Sequence, residues 1–436
     1  MSHLPRRTVL ATVALFTIFS SPAFTAQAQT TTATPLRLHD AIRATLQHNP
    51  QLATYGWQLK ALDGERETAA LAPELRVSTE LENIAGSGEF SNTEAGEFTL
   101  SLSSVIEPSE QRDARLDVVM SRQQRLESTQ RLQTLEILSA VTQQFISVAA
   151  AQQQLIVQQQ AQQLATQTLN AVSAQVQAGR TADVEQLRSK AALARATIDW
   201  QNAQQHLHSE RIRLSAFWAE INPTFNQVQA DLFALPVAPA LSSLLMQLEN
   251  NPDLAVLGDE VQLRAAELRQ AQTQRASTME WSAGVRRFEA SDDAALVVGL
   301  SMPLGASKRA SGALTTAAAN QANAEQNRAN TRTQLHAQLG ILHSAYQQAL
   351  NEVRSLRSDV VPALEQASKA ASSAFAQGRY SYQELNMAQR ELLDARLSLI
   401  AAAARAQHLT IDIERLTGAV SQRSGTDAVS AFKDQL

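Results

Sequence analysis

Histidines and carboxylic acids are the residues of this chain that could bind a metal or carry out acid–base chemistry. Cysteine is absent from all 436 residues, which excludes thiolate ligands, disulfides and cysteine nucleophiles. His206 and His208 are two residues apart in a helical stretch, so they cannot share a face. His336 and His343 can share one, but no carboxylate–histidine ligand spacing surrounds them. We therefore expect solvated helix surfaces here, with no metal site, no cofactor and no catalytic centre.

Two matched turns carry the other candidate chemistry. Each has a glycine suited to the left-handed conformation that ends a helix, an arginine directly after it, and a glutamate six residues after the glycine. A carboxylate in the first turn of a helix is stabilised by the helix dipole, and it attracts cations. The residues are Gly179, Arg180 and Glu185 in the first turn, and Gly378, Arg379 and Glu384 in the second.

The N-terminus has the pattern of a cleavable export signal. Arg6 and Arg7 precede an apolar run from Val9 to Phe19, and the small-residue pattern Ala26-Gln27-Ala28 follows. The apolar run is too short to span a bilayer as a mature helix. We expect residues 1–28 to be a signal peptide.

Composition excludes several classes of protein. The formal net charge is −5 and no basic face is concentrated anywhere, which excludes a nucleic-acid partner. Aromatic residues are 5% of the chain, with only 15 glycines and 12 prolines. So few helix breakers and large core side chains disfavour a compact α/β enzyme and favour long helices packed through small residues.

The rest of the chain repeats one plan twice. The sequence LQHNPQLA at Leu46–Ala53 returns as LENNPDLA at Leu248–Ala255. A period of half the chain indicates a duplicated unit and not a solenoid. We assign residues 36–218 to the first repeat, 219–240 to a linker, 241–418 to the second repeat and 419–436 to a flexible tail.

Each repeat predicts a helix–β-hairpin–helix unit, which makes the fold class mainly α with a small β part. The long helices are expected at about Ser109–Ala178 and Ser311–Gln377, each a rod on the order of 100 Å. Apolar residues from Leu335 to Leu364 keep the three–four spacing of a coiled coil. Return helices are expected at about Ala182–Trp218 and Tyr382–Leu416.

Four segments with period-two alternation predict the strands. They lie at about 75–83, 97–106, 280–289 and 294–303. Four strands cannot close a barrel, and an open sheet edge is not stable in lipid, so other subunits must complete the sheet to eight, twelve or sixteen strands. The alternative is two ordinary hairpins packed on the helices of a soluble protein. The polar loop at 85–96 suits the outward-facing side.

The duplicated plan and the two turns resemble the outer-membrane efflux protein family, whose best-known form is TolC. Residues 82–90 with 100–107, and 284–290 with 296–304, resemble more specifically the outer-membrane subunit of cobalt–zinc–cadmium resistance pumps. The segment Pro108-Ser-Glu-Gln departs from the glycine-rich turn that is usual in that subgroup.

The resemblance implies a homotrimer in outer-membrane lipid, with a 12-stranded transmembrane β-barrel and a coiled-coil α-barrel that extends into the periplasm. Its implied partners are a periplasmic adaptor (membrane fusion protein) and an inner-membrane RND pump. In the family the two turns form the periplasmic mouth where the adaptor docks. An acid matching Glu384 narrows that mouth, and Met387 replaces a second acid of the family pattern.

The expected function is a passive export conduit for divalent heavy-metal cations, with no enzymatic activity. Two alternatives remain open at this point. One is a conduit for drugs or other solutes. The other is a periplasmic adaptor, which also contains a coiled-coil hairpin but within a single β-rich flanking domain.

Overall fold

The structure is a computed structural model that describes residues 35–418. The predicted signal peptide, residues 1–28, and the predicted tail, residues 419–436, lie outside the described residues. The first repeat contains α1 (Leu38–His48), α2 (Pro50–Ala70), β1 (Arg76–Glu82), β2 (Glu97–Ile106), α3 (Ser109–Gln177) and α4 (Asp183–Ser215). The second contains α5 (Leu241–Gln247), α6 (Pro252–Thr273), β3 (Met279–Phe288), β4 (Asp293–Ser301), α7 (Ala306–Ser355), α8 (Val361–Ala376) and α9 (Tyr382–Thr417). The prediction of a mainly helical fold with a small sheet is confirmed.

The repeated Asn–Pro motif starts a helix and ties it to the end of its own repeat. The side-chain oxygens of Asn49 and Asn251 each accept a hydrogen bond from a first-turn backbone N–H, at 2.9 and 3.1 Å. The proline that follows occupies the first helical position, where its missing N–H is not needed. The side-chain amides donate to the backbone carbonyls of Phe217 (2.9 Å) and Leu416 (2.7 Å). Each asparagine thus caps one helix, α2 or α6, and also hydrogen-bonds the backbone near the C-terminal end of the same repeat.

The long helix that follows the β-hairpin differs between the two repeats. Helix α3 runs for 69 residues without a break. The segment predicted as a single helix at Ser311–Gln377 is helical throughout, but it contains a π-helical turn at Leu356–Val360, between α7 and α8, that was not predicted. Pro362, which follows the π turn, has no N–H, and its ring would clash with the carbonyl four residues earlier in a regular helix. Val353 is the last buried apolar residue before the π turn, Val360 within the turn is 38% exposed, and buried apolar residues resume at Ala371 and Phe375 in α8.

The helices pack side by side as a layer. Helix α3 contacts α4 on one side and α9 on the other, and α9 also contacts α8. The linker crosses this layer. There Val228 forms a parallel bridge with Leu36, and the side chain of Gln152 bonds both the N–H (2.7 Å) and the carbonyl (3.2 Å) of Val228. The linker is therefore a part of the core and not a loose connection.

The four strands form one antiparallel sheet in the order β1-β2-β3-β4. The pairing of β2 with β3 joins the two repeats in one sheet, whereas the alternative weighed from the sequence was two separate hairpins. Gly284 lies where these strands meet, and a Cβ at this position would lie 2.5 Å from the carbonyl oxygen of Leu100. Glycine is thus required for the ladder that links the repeats. The outer edges of β1 and β4 have no strand partner within the described chain.

We predict that Asn251→Ala lowers the free energy of unfolding by about 1–3 kcal/mol, because it removes a helix cap and leaves a buried carbonyl unpaired. Asn251 is 1% exposed. The measurement is the thermal unfolding midpoint of the detergent-solubilised protein. Asn250→Ala is the matched control, since the neighbouring asparagine is exposed. Equal midpoints for the two variants would contradict the role given to Asn251.

Candidate functional site

The two predicted turns connect long helices, as expected from their glycines. Gly179 lies between α3 and α4 with φ +66°, and Gly378 lies between α8 and α9 with φ +73°. The N–H of each glycine bonds the carbonyl three residues earlier, at 2.9 and 3.0 Å, and the N–H of Arg180 or Arg379 bonds the carbonyl five residues earlier, at 2.9 and 2.8 Å. Helices α3 and α8 therefore each end in a Schellman-type cap, which requires a residue in the left-handed conformation.

The two tips pack against each other. The side-chain amide of Gln175 donates to the backbone carbonyl of Phe375 at 3.0 Å. Val172 from the first tip joins Phe375, Tyr382 and Leu385 from the second tip in one buried apolar cluster. The fold therefore brings together two turns that are about two hundred residues apart in sequence.

The two arginines lie at the exposed end of the helical layer. Arg379 donates to the side chain of Gln377 in the preceding helix turn. The guanidinium of Arg180 is exposed and has no ion-pair or hydrogen-bond partner in the described part of the chain. Both side chains thus remain accessible to a partner that approaches the tips from the side opposite to the sheet.

Glu384 is part of a capping box at the start of α9. Its carboxylate accepts hydrogen bonds from the backbone N–H of Ser381 (2.7 Å) and from the Ser381 hydroxyl (2.9 Å). The Ser381 hydroxyl in turn accepts from the backbone N–H of Glu384. These hydrogen bonds lower the pKa of Glu384, the backbone donor being the larger cause. The carboxylate is therefore exposed, ionised and held in one orientation.

Glu185 occupies the same position on α4 but has different surroundings. Helix α4 begins after Ala182, which has no side chain able to cap it. The carboxylate pairs instead with Arg188 at 3.1 Å, and its side chain is only 20% exposed. It also lies close enough to the buried Tyr382 to add to the rise in the pKa of that phenol, which burial mainly causes. The matched spacing thus produces two glutamates with different partners.

The prediction for the histidines is wrong at His343. This side chain is 8% exposed, and its Nε2 lies 2.9 Å from the backbone carbonyl of Pro239. It holds the linker against α7, because the linker covers the helix face that sequence reasoning left in solvent. His206 lies 3.7 Å from Glu210 on the same helix. Within the described residues no three histidine or acidic side chains are placed to hold a metal ion.

A partly buried polar cluster between α3 and α9 was not predicted. Asp412 accepts a hydrogen bond from the Gln143 side chain at 2.7 Å, and His408 lies one turn earlier on α9. Burial lowers the pKa of His408 and raises the pKa of Asp412. The His-x-x-x-Asp spacing is visible in the sequence, but only the packing of α9 on α3 partly buries the two side chains. The hydrogen bond between Gln143 and Asp412 links the two helices.

The sheet exposes an apolar face. Residues paired across all four strands lie on the same face, so the register separates apolar side chains from polar ones. The large apolar side chains of this face are between 38% and 74% exposed, which is unusual for a sheet in water. They are Val77, Leu81, Phe98, Leu100, Leu102, Ile106, Val285, Leu296, Val298 and Leu300.

Between residues 35 and 418, no helix combines the length and the apolar character needed to cross a membrane.

Comparison with known proteins agrees with this geometry. The model of the family described as outer membrane efflux protein matches residues 41–220. The cobalt-zinc-cadmium resistance protein CzcC of Cupriavidus metallidurans is 26% identical over 384 residues, covering 88% of this chain and 90% of CzcC. The outer membrane protein VceC of Vibrio cholerae has a TM-score of 0.72 at 18% identity, covering 87% of this chain and 96% of VceC. CusC, whose structure was described in the context of transmembrane channel formation, has a TM-score of 0.68 at 17% identity. The match covers 88% of this chain and 92% of CusC.

The fold is therefore that of TolC-like outer-membrane efflux channels such as VceC and CusC. The matches confirm the resemblance to the outer membrane efflux protein family, and with CzcC they confirm the likeness to cobalt–zinc–cadmium resistance channels. Proteins of this family are conduits and not enzymes, and they lie in the outer membrane with a helical periplasmic extension. Both of these predictions are therefore confirmed.

We predict that the two tips respond in opposite directions to a change of N-cap residue. Ser381→Ala removes the cap of α9 and should raise amide hydrogen exchange in its first turn about fivefold, while Ala182→Ser supplies a cap to α4 and should slow exchange there. Mass-spectrometric hydrogen exchange on peptides covering each tip measures both effects. If Ala182→Ser accelerates exchange at its own tip, Glu185 cannot complete a capping box and the comparison of the tips fails.

Proposed function

We propose that this protein is the outer-membrane channel of a tripartite RND-type efflux pump that exports divalent heavy-metal cations. The observation that carries the proposal is the similarity to CzcC, which extends over 88% of the chain and so includes the sheet and both tips. CzcC is a cobalt-zinc-cadmium resistance protein by name. The absence of a resident metal cluster among the described residues is compatible with this role, because a conduit passes its cargo without retaining it.

Three copies of the chain would form the channel. The sheet has two free edges and an exposed apolar face, and neither is stable without a neighbour and a lipid environment. Pairing β1 of one chain with β4 of the next gives twelve strands, an even number as in other outer-membrane barrels. The long helices would then line a periplasmic tunnel, with α3 contributing a rod of about 100 Å.

The tips would be the docking surface for the periplasmic adaptor. Gly179, Arg180, Gly378 and Arg379 lie together at the end of the helices farthest from the sheet. Their glycines form the turn, and their arginines provide cations beside the carbonyls of the helix ends. An adaptor that bridges to an inner-membrane pump must meet the channel at this end.

Glu185 and Glu384 would form the gate at the same end. Three chains would place six carboxylates around a narrow mouth, where they would attract multivalent cations and repel anions. Glu384, which is ionised and exposed, would contribute most of the field. Glu185 would contribute less, since Arg188 offsets its charge.

Deletion of the gene should sensitise cells to zinc, cadmium or cobalt, because these ions would no longer leave the periplasm through the channel. The measurement is the minimal inhibitory concentration of each ion, with wild-type complementation as the control. Unchanged metal tolerance together with new sensitivity to drugs or detergents would favour the alternative, a conduit for other solutes.

Replacing both gate carboxylates, Glu185→Gln with Glu384→Gln, should weaken the block of single channels by divalent or trivalent cations about tenfold or more, while trimers still assemble. Glu384→Gln alone should give most of this loss, because Glu185 is paired with Arg188. Planar-bilayer recording measures the block. Identical block in the wild type and the double variant would show that these carboxylates are not in the conduction path.

A further inference from the structure

We propose that the sheet itself makes the duct selective for cations, and that Glu80 and Glu280 are the residues that determine this selectivity. This inference rests on the proposed function, because the strands enclose a lumen only when several chains assemble. It places a second charge filter at the membrane end of the duct, far from the helical tips.

The register of the sheet identifies the face that would line the lumen. Opposite to the apolar face, the strands present mainly serine, threonine, glycine and charged residues, together with a few apolar ones such as Val105, Phe288 and Val297. Glu80 is paired with Thr99, for example, and Glu280 with Ser301, and all four lie on this polar face. In outer-membrane barrels the apolar side chains face lipid and the polar ones face the interior.

The polar face is strongly acidic. It carries five carboxylates and two guanidinium groups, a net charge of −3 per chain and −9 in a trimer. The charged residues of this face are Arg76, Glu80, Glu82, Glu97, Glu280, Arg286 and Asp293.

Both arginines of this face are already paired. Arg286 contacts Glu82 and Glu97 at 2.8 Å each, and its Nε donates to the Thr99 hydroxyl at 2.9 Å. Arg76 pairs with Glu74, just before the strand, at 2.9 Å. Arg286 is therefore fully used by Glu82 and Glu97, whereas Arg76 interacts mainly with Glu74 and to a smaller extent attracts Glu280.

Three of the five carboxylates have no ion pair within 4.0 Å among residues 35–418, and all three side chains are exposed: Glu80, Glu280 and Asp293. Asp293 is the first residue of β4 and directly follows the turn after β3. Glu80 is level with Thr99 of β2, whereas Glu280 is level with Val105. Six residues of strand separate these levels, which is about 20 Å. Three chains would thus carry two rings of three carboxylates without an ion pair, at different heights.

Water and salt limit the electric field that these carboxylates produce in the lumen. A twelve-stranded barrel has a water-filled lumen, and salt screens exposed charges over about 8 Å at physiological ionic strength. The rings should therefore raise the local concentration of cations a few-fold, and more so at low salt. A duct with this field favours metal cations over anionic solutes of similar size.

The test is the reversal potential of single channels in a planar bilayer under a gradient of potassium chloride. Wild-type trimers should be selective for potassium over chloride. Glu80→Gln with Glu280→Gln should lower the permeability ratio about threefold, and Glu80→Lys with Glu280→Lys should invert it. Glu94→Gln with Glu289→Gln is the matched control, because it removes two charges from the loops beyond the strands and should change the ratio less.

Each outcome bears on the inference separately from the proposed function. If wild-type trimers conduct but neither strand variant changes the permeability ratio, the selectivity lies elsewhere and the inference is overturned. If the loop variant changes the ratio as much as the strand variant, the lumen carboxylates have no special role. Failure of the wild type to form any conducting pore would instead contradict the proposed function. Single Gln variants, each with a smaller loss, replace the double variant if it does not assemble.

Discussion

The main constraint on this structure is a four-stranded sheet that cannot be complete in a single chain. One face exposes leucine, valine and phenylalanine side chains, and the edges of β1 and β4 present unpaired backbone groups. An exposed apolar face is unfavourable in water, and unpaired backbone groups are unfavourable in lipid. Both are satisfied when identical sheets close into a barrel within a membrane. The duplicated chain, the single linked sheet and the long helical layer below it are consistent with that assembly.

The two repeats share a plan, but they are not interchangeable. Each begins with an asparagine that caps a helix and closes the repeat, which maintains the same architecture twice. The long helices that follow the hairpins differ, since α3 is a regular α-helix and its counterpart contains a π turn before Pro362. The tips differ as well, because Ser381 caps α9 and Ala182 cannot cap α4. The two repeats thus share one architecture but differ in the regularity of their long helices and in the chemistry of their tips.

Much of the architecture could be predicted from periodicity and from the spacing of breakers. Glycines at matched positions located both tips, and alternation located the four strands to within about two residues, a usual margin for such boundaries. Long-range packing was not predictable in the same way. The burial of His343 depends on a linker that crosses α7, and the Asp412–Gln143 hydrogen bond depends on how α9 packs on α3. The different partners of Glu185 and Glu384 depend on one N-cap residue, a detail that their matched spacing conceals.

The most direct test of the account is the pairing of β1 with β4 between neighbouring chains. The chain has no cysteine, so one cysteine introduced into each of these edge strands reports only on their proximity. A scan of such pairs in outer-membrane fractions under mild oxidation measures the contact. The account predicts a register at which the products end at a covalently closed trimer. Exclusively monomeric protein in the soluble periplasmic fraction, or products that continue beyond three chains, would contradict it.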